Sequence, residues 1–231
     1  MSKVKRKMLA IIPARGGSER LPDKNLRMLC GKPLIHWTLE AARKSRHIAT
    51  AMVTTDDKMI RAYAAHHGVE TPFLRPRHLS TNTASSLDVI LHVLSCYEAK
   101  GMKFDDFILL QPTSPLRCSH HIDEAVELFY KKRAKSVLSV SPSSHKVHWS
   151  YFLPASHSLG VFLDKIKCEK KKRFYTLNGA IYIANWDFFK MHKRWNSERT
   201  YAYVMDETNS IDIDTEEDLV IARMRSKGIL K

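Results

Sequence analysis

Short apolar runs alternate with longer amphipathic stretches through roughly the first 140 residues, and this rhythm restricts the fold more than any other feature of the chain. Met8 to Ile12 is apolar throughout and stops at Pro13, as a buried parallel strand would. Pro33 to Ser45 carries Leu34, Ile35, Trp37, Leu39, Ala41 and Ala42 at helical spacing. Thr50 to Thr54, Val69 to Leu74, Phe107 to Leu110 and Ser136 to Val140 read as further strands. The intervening helices run to about His67 with Asp56 as cap, from Thr83 to Glu98, and from Ser119 to Lys132. Strands and helices in turn predict a mostly parallel sheet with helices on both faces, an α/β fold. Ligands of such sheets sit beyond the carboxyl ends of the strands, where Arg15, Thr55, Arg75, Gln111 and Ser141 fall.

The first of these strand ends is the richest. Gly16 and Gly17 let backbone approach a ligand closely, and Arg15, Arg20 and Lys24 add positive charge to the same turn, which makes a phosphate site. Neither a P-loop nor a dinucleotide fingerprint is present, so the loop works differently from both.

With 231 residues the chain is read as one domain, 1–231, with an excursion at about 142–176 where the alternation breaks down among His145, His148, Trp149, Tyr151 and Phe152. No stretch approaches the roughly 20 apolar residues of a membrane span, and no apolar leader opens the sequence, so a cytoplasmic protein with no membrane partner is expected. Cys30, Cys96, Cys118 and Cys168 are scattered without metal or disulfide spacing. The net charge of +14 fits small polyanionic substrates, a nucleic acid or an acidic surface equally well. Beyond the excursion, Gly179 to Ala184 and Tyr201 to Met205 read as strands, Trp186 to Lys190 as the start of a helix, and Thr215 to Ser226 as a helix opened by a capping box.

Asp212 and Asp214 stand two apart in an extended stretch, so their side chains leave the same face and can share one divalent cation. The plainer reading makes Asp214 a helix cap and leaves Asp212 at a strand end.

Four segments share their wording and order with one family: Ile11 to Asn25, Leu109 to Arg117, Asn178 to Ile183, and Ser210 to Thr215. On these the chain resembles the acylneuraminate cytidylyltransferases, a group of sugar nucleotidyltransferases. The resemblance implies a Rossmann-like nucleotidyltransferase fold and transfer of CMP from CTP to a nine-carbon acidic sugar (sialic, legionaminic or a related nonulosonic acid), with release of pyrophosphate. It further implies Mg²⁺, with Mn²⁺ able to substitute, on Asp212 and Asp214, and catalytic roles for these two residues, Arg15 and Lys24. Ala14, Arg15, Gly16, Arg20, Lys24, Asn25, Arg75 and Ser85 would bind the nucleotide, and Gln111, Asn178 and Tyr182 the sugar. The 142–176 excursion would build a homodimer. Two positions depart from the pattern: Glu19 stands where relatives carry lysine, with Arg20 as a candidate substitute, and Cys168 falls where relatives place an arginine, leaving Lys167 or Arg173 as candidates. Activation of an eight-carbon sugar acid is the nearest alternative. A non-enzymatic polyanion-binding protein is a second, but no nucleic-acid recognition motif accompanies the charge, so no nucleic-acid partner is expected.

Overall fold

A computed structural model describes residues 6–143 and 174–230. Its centre is a six-stranded sheet in the order β4-β1-β5-β7-β6-β8. The strands are β1 (Met8–Pro13), β4 (Thr50–Thr54), β5 (Asp106–Leu109), β6 (Ser136–Pro142), β7 (Tyr175–Asn185) and β8 (Thr200–Val204). All are parallel to their neighbours except β7, which runs antiparallel to both β5 and β6. A two-stranded ribbon, β2 (Met28–Leu29) and β3 (Lys32–Pro33), follows the glycine loop.

Alternate residues of β1 face opposite ways, as pleating requires. Met8, Ala10 and Ile12 pack with α1 (Leu34–Lys44), α2 (Lys58–His66) and α4 (Ser119–Lys131). Leu9 and Ile11 pack with α3 (Ser86–Ala99) and α5 (Trp186–His192), where Trp186 and Phe189 are fully buried. A third cluster joins Leu21, Leu29 and Leu34 to Ile211, Ile213 and Leu219, anchoring α6 (Glu216–Ser226) beside the glycine loop. Burial of Ile211 and Ile213 turns the intervening Asp212, and the following Asp214, away from that cluster.

Three local expectations are corrected. Val69–Leu74 is not a strand: Pro72 has no N–H to give, and the segment makes one isolated parallel bridge, Met52 to Glu70. Asp57, not Asp56, caps α2, accepting from Met59 N at 2.7 Å and Ile60 N at 3.0 Å. The α3 helix starts at Ser86 rather than Thr83, with the Ser85 hydroxyl accepting from Leu87 N as its cap. The Thr215–Asp218 capping box forms as read. Most of the 142–176 excursion, including Cys168, Lys167 and Arg173, lies outside the described residues.

Register breaks once inside the sheet. A two-residue step on β6, Leu138 to Val140, faces a five-residue step on β7, Tyr182 to Leu177. The surplus of β7 holds Asn178 and Gly179, and a positive φ of 71° at Gly179 turns the chain there.

Candidate active site

Three adjoining cavities open at the carboxyl edge of the parallel strands, and Gln111 lines all of them. The first, about 270 Å³, is walled by the glycine loop through Arg15, Glu19, Arg20, Lys24 and Asn25. A second, about 200 Å³, shares Arg15 and Asn82 with the first and adds Arg75 and Ser86. The third, about 550 Å³, reaches from Gln111 past Asn178, Tyr182 and Asp212 to Arg225. The sites predicted for phosphate and for sugar are thus neighbours, separated by one amide side chain.

The glycine loop is held by its backbone. Ala14 is buried and donates its N–H to Thr54 O at 3.0 Å, and Gly16 N donates to Asp56 Oδ1 at 3.0 Å. A Cβ on Gly16 would lie 3.0 Å from Asp57 Oδ2, so only glycine fits without displacement. Asn25, also buried, donates from Nδ2 to Arg15 O at 2.9 Å, which makes it a loop-positioning residue. The half-buried Arg15 side chain reaches no carboxylate among the described residues; its Nη1 lies 3.5 Å from Gly17 O.

Lys24 and Arg20 both point at one carboxylate. Lys24 Nζ is 2.7 Å from Asp214 Oδ1, and Arg20 Nη2 is 2.7 Å from Asp214 Oδ2. Burial works against the charge on Asp214, but the Lys24 hydrogen bond and the two cations outweigh it and hold its pKa below the usual value. Asp212 behaves oppositely. No cation among the described residues lies within ion-pair distance of it, and crowding of protein around the carboxylate, with the charges of Asp214 and Asp218, raises its pKa against the opposing pull of a hydrogen bond from Thr113 and the charge of Lys24. Its surface still opens to the third cavity, so solvent tempers that rise. Beside it lies the buried Thr113 hydroxyl. Asp214 does not cap α6; Thr215 does.

Arg75 is buried, gives Nη2 to Thr54 O at 2.5 Å and Nε to Thr54 Oγ1 at 3.2 Å, and has its pKa lowered to about 10 by burial. It remains a cation at neutral pH. Ser85 is engaged as the α3 cap, and its neighbours Ala84 and Ser86 line the cavity in its stead.

Asn178 is buried, and both ends of its amide are committed. Oδ1 accepts from Ser139 Oγ at 2.5 Å and Ala180 N at 3.2 Å, while Nδ2 donates to Ser210 Oγ at 2.9 Å. Ser139 Oγ in turn accepts from Ile181 N at 2.8 Å. These bonds satisfy the backbone donors that the β7 irregularity would otherwise strand. A Cβ on Gly179 would meet Gln111 Nε2 at 3.6 Å, so the two walls of the cavity touch here. Tyr182 packs edge-on against Trp195 with ring centroids 5.3 Å apart and also lines the cavity; burial and the charge of Asp212 raise its phenol pKa.

Sequence reasoning missed Arg117, which is fully buried with no carboxylate partner among the described residues. Its Nη2 donates to Thr38 Oγ1 at 2.7 Å and to Gln111 O at 3.2 Å, so it fixes the main chain of the residue shared by all three cavities. Burial lowers its pKa to about 10. It was visible only as part of the Pro115-Leu116-Arg117 wording, where nothing distinguishes a buried from an exposed arginine.

Residues 9–219 match the family described as Cytidylyltransferase. The chain belongs to that family. A CMP-N,N'-diacetyllegionaminic acid synthase of Legionella pneumophila is 40% identical over 217 residues, covering 92% of this chain and 93% of that one. The N-acylneuraminate cytidylyltransferase of Escherichia coli O18:K1:H7 is 40% identical over 219 residues; these are 94% of this chain and 51% of the longer relative, so the present cytidylyltransferase spans about half its length. Among solved structures, a CMP:2-keto-3-deoxy-manno-octonic acid synthetase complexed with CTP superposes with a TM-score of 0.73 at 18% identity, covering 97% of this chain and 100% of that one, which establishes the shared fold. Cytidylyltransferases are nucleotidyltransferases; the mostly parallel α/β sheet is the one the alternation predicted, and the Rossmann-like nucleotidyltransferase fold the one the resemblance implied. Among the described residues no helix is long and apolar enough to cross a membrane.

Proposed function

We propose that this cytidylyltransferase joins CMP from CTP to a nine-carbon acidic sugar and releases pyrophosphate. The observation that carries the reading is the adjacency of a cationic glycine-loop cavity and a larger polar cavity across Gln111, with Asp212 and Asp214 at the boundary. Relatives at 40% identity bear the names of enzymes acting on legionaminic and acylneuraminic acids, which favours the nine-carbon class.

In this mechanism the sugar's anomeric oxygen attacks the α-phosphorus of CTP, the bond to the β-phosphate oxygen breaks, and the hydroxyl proton passes to a base at the site. Arg15 and Lys24 absorb charge on the triphosphate, and the exposed Arg20 adds to it, while the Ala14 to Gly16 backbone shapes the loop around the phosphates. Asn25 holds that loop, and Arg75 with the Ser85–Ser86 helix start borders the space for the nucleoside. Gln111 and Tyr182 face the sugar, and Asn178 shapes its pocket. No side-chain nucleophile is required, because positioning and electrostatics dominate phosphoryl chemistry.

Asp212 and Asp214 fit a hard divalent cation. Among the described residues no group of three or more acidic, histidine or cysteine ligands exists, so a metal here would complete its shell with phosphate oxygens and water, the habit of Mg²⁺. Asp212, crowded and without an ion-pair partner among the described residues, suits such a cation. Bound there, Mg²⁺, or Mn²⁺ in its place, would orient the triphosphate and acidify the attacking hydroxyl. Lys24 and Arg20, which now neutralise Asp214, are positioned to move onto phosphate when the cation takes over that role.

A homodimer is part of the proposal: Tyr175, Leu177 and Val204 are exposed apolar residues, Tyr175 near the end of the 142–176 excursion and Leu177 directly after it. Use of CTP supports a cytoplasmic setting. Pyrophosphate release from CTP with a panel of nine-carbon and eight-carbon acidic sugars tests the reading. Turnover restricted to nine-carbon acids supports it, turnover restricted to an eight-carbon acid replaces the acceptor class, and no turnover with any of them, in Mg²⁺ or Mn²⁺, overturns it.

A further inference from the structure

The third cavity has a charge problem. Glu207, Asp212 and Asp218 all line it, and an acidic sugar would enter as a fourth anion. Among the described residues of the lining, only Arg225 carries a positive charge. It projects from the last turn of α6, the helix that the Ser210 to Thr215 segment opens, but lies outside that segment and the other three.

Its hydrogen bonding is half complete. Nη1 donates to Glu207 O at 2.8 Å, which ties the guanidinium to the turn after β8. Nε is buried and has no partner among the described residues, and Nη2 makes no hydrogen bond there either. These two groups form one edge of the guanidinium, and that edge carries two parallel N–H vectors that match the two oxygens of a carboxylate. A buried donor left open is costly unless a ligand completes it. The backbone tether on the opposite side pre-orients the fork, so little freedom is lost when it binds.

We infer that Arg225 is the residue that reads the carboxylate of the acidic acceptor, through its Nε and Nη2 edge. The inference rests on the nine-carbon acceptor proposed above and deepens it by naming the specificity-determining cation. Lys167 and Arg173 stand outside the described residues and are the competing candidates.

The test measures pyrophosphate release by the wild type, Arg225→Gln and Arg225→Lys with the nonulosonic acid the wild type turns over, and with the same sugar bearing a carboxamide in place of its carboxylate. Arg225→Gln should raise KM for the acid about tenfold or more while leaving KM for CTP unchanged, as expected when a bidentate charged pair is lost. Its preference for acid over carboxamide should collapse, a change that a merely structural role would not produce. Arg225→Lys should fall between, keeping charge but losing the fork. If Arg225→Gln does not fold, as judged by its melting curve, the acid-to-carboxamide preference of Arg225→Lys decides the matter, and a preference equal to wild type overturns the inference. An unchanged KM for the acid in Arg225→Gln also overturns it and transfers the role to Lys167 or Arg173. A wild type inactive on every acidic nine-carbon sugar removes the parent proposal and this one with it.

Discussion

Replacement of Asn178 by alanine separates a scaffold role from a contact role. In the structure the amide is used up: removing it strands two buried donors, the Ser139 hydroxyl and the Ala180 N–H. The Ser210 hydroxyl loses a donor to it but keeps its own bond to Asp206 O. Two stranded donors at about 1–3 kcal/mol each sum to about 2–6 kcal/mol. The adjoining cavity lets water reach the gap and replace part of the loss, which brings the expected destabilisation to about 2–4 kcal/mol. For a chain of this size each kcal/mol moves Tm by about 2–4 °C, so Asn178→Ala should melt about 5–15 °C below wild type. Thermal unfolding by circular dichroism, with sugar KM measured well below the melting range, gives both quantities. A variant that melts within about 1 °C of wild type while its sugar KM rises steeply would refute the scaffold role and return the amide to the sugar.

Further outcomes follow from the charges. Asp212 has a raised pKa in the folded protein, so its stabilising contribution is present below its unfolded pKa and lost as pH rises through the folded value. Asp212→Asn should therefore melt higher than wild type at neutral pH without added metal, yet turn over far more slowly; a variant that is both fully active and no more stable would contradict both statements. In the metal-free protein the Asp212 carboxyl should titrate above the ordinary aspartate range by NMR, and a value at or below that range would refute the crowding argument. Glu19 lines the glycine-loop cavity and has no ion-pair partner among the described residues, so Glu19→Lys should tighten CTP binding and Arg20→Ala should weaken it, as read by titration calorimetry on both single variants and the double. Arg6→Ala should destabilise by about 1–3 kcal/mol in urea unfolding, because the buried Asp106 carboxylate loses its two 2.8 Å bonds to the half-exposed guanidinium and keeps the bond from Asn185.

Most of the architecture was legible because hydrophobic period and sheet layering are local signals. Both faces of β1 and the buried stripes of α1 and α4 follow directly from the spacing of their apolar residues. Strand direction was not legible: an alternating segment such as β7 reads the same whichever way it runs, and its antiparallel placement is fixed only by pairing with β5 and β6. Caps slipped by a residue or two because Asp56 and Asp57, or Thr83 and Ser85, offer the same oxygen chemistry, and backbone geometry makes the choice. The glycine loop and the aspartate pair stood out by composition. The partners of Asp214 did not, since Lys24 lies 190 positions away in sequence. Arg225 and Arg117 look ordinary in sequence, and only folding distinguishes a guanidinium with open donors from a solvated one.

The strand that runs against its neighbours has a consequence for how such an enzyme diversifies. Because β7 enters the sheet from the cleft side, it contributes its beginning, rather than its end, to the edge where the other strands finish. In the proposed mechanism the CTP half would draw on the glycine loop through the start of α3, and the acceptor half on β6, β7 and the turns leading to α6. Inheritance can therefore edit one half as a cassette while the other is kept intact. On that proposed division a change of acceptor would fall on the later segments apart from Asp212 and Asp214, with Gln111 lining both halves.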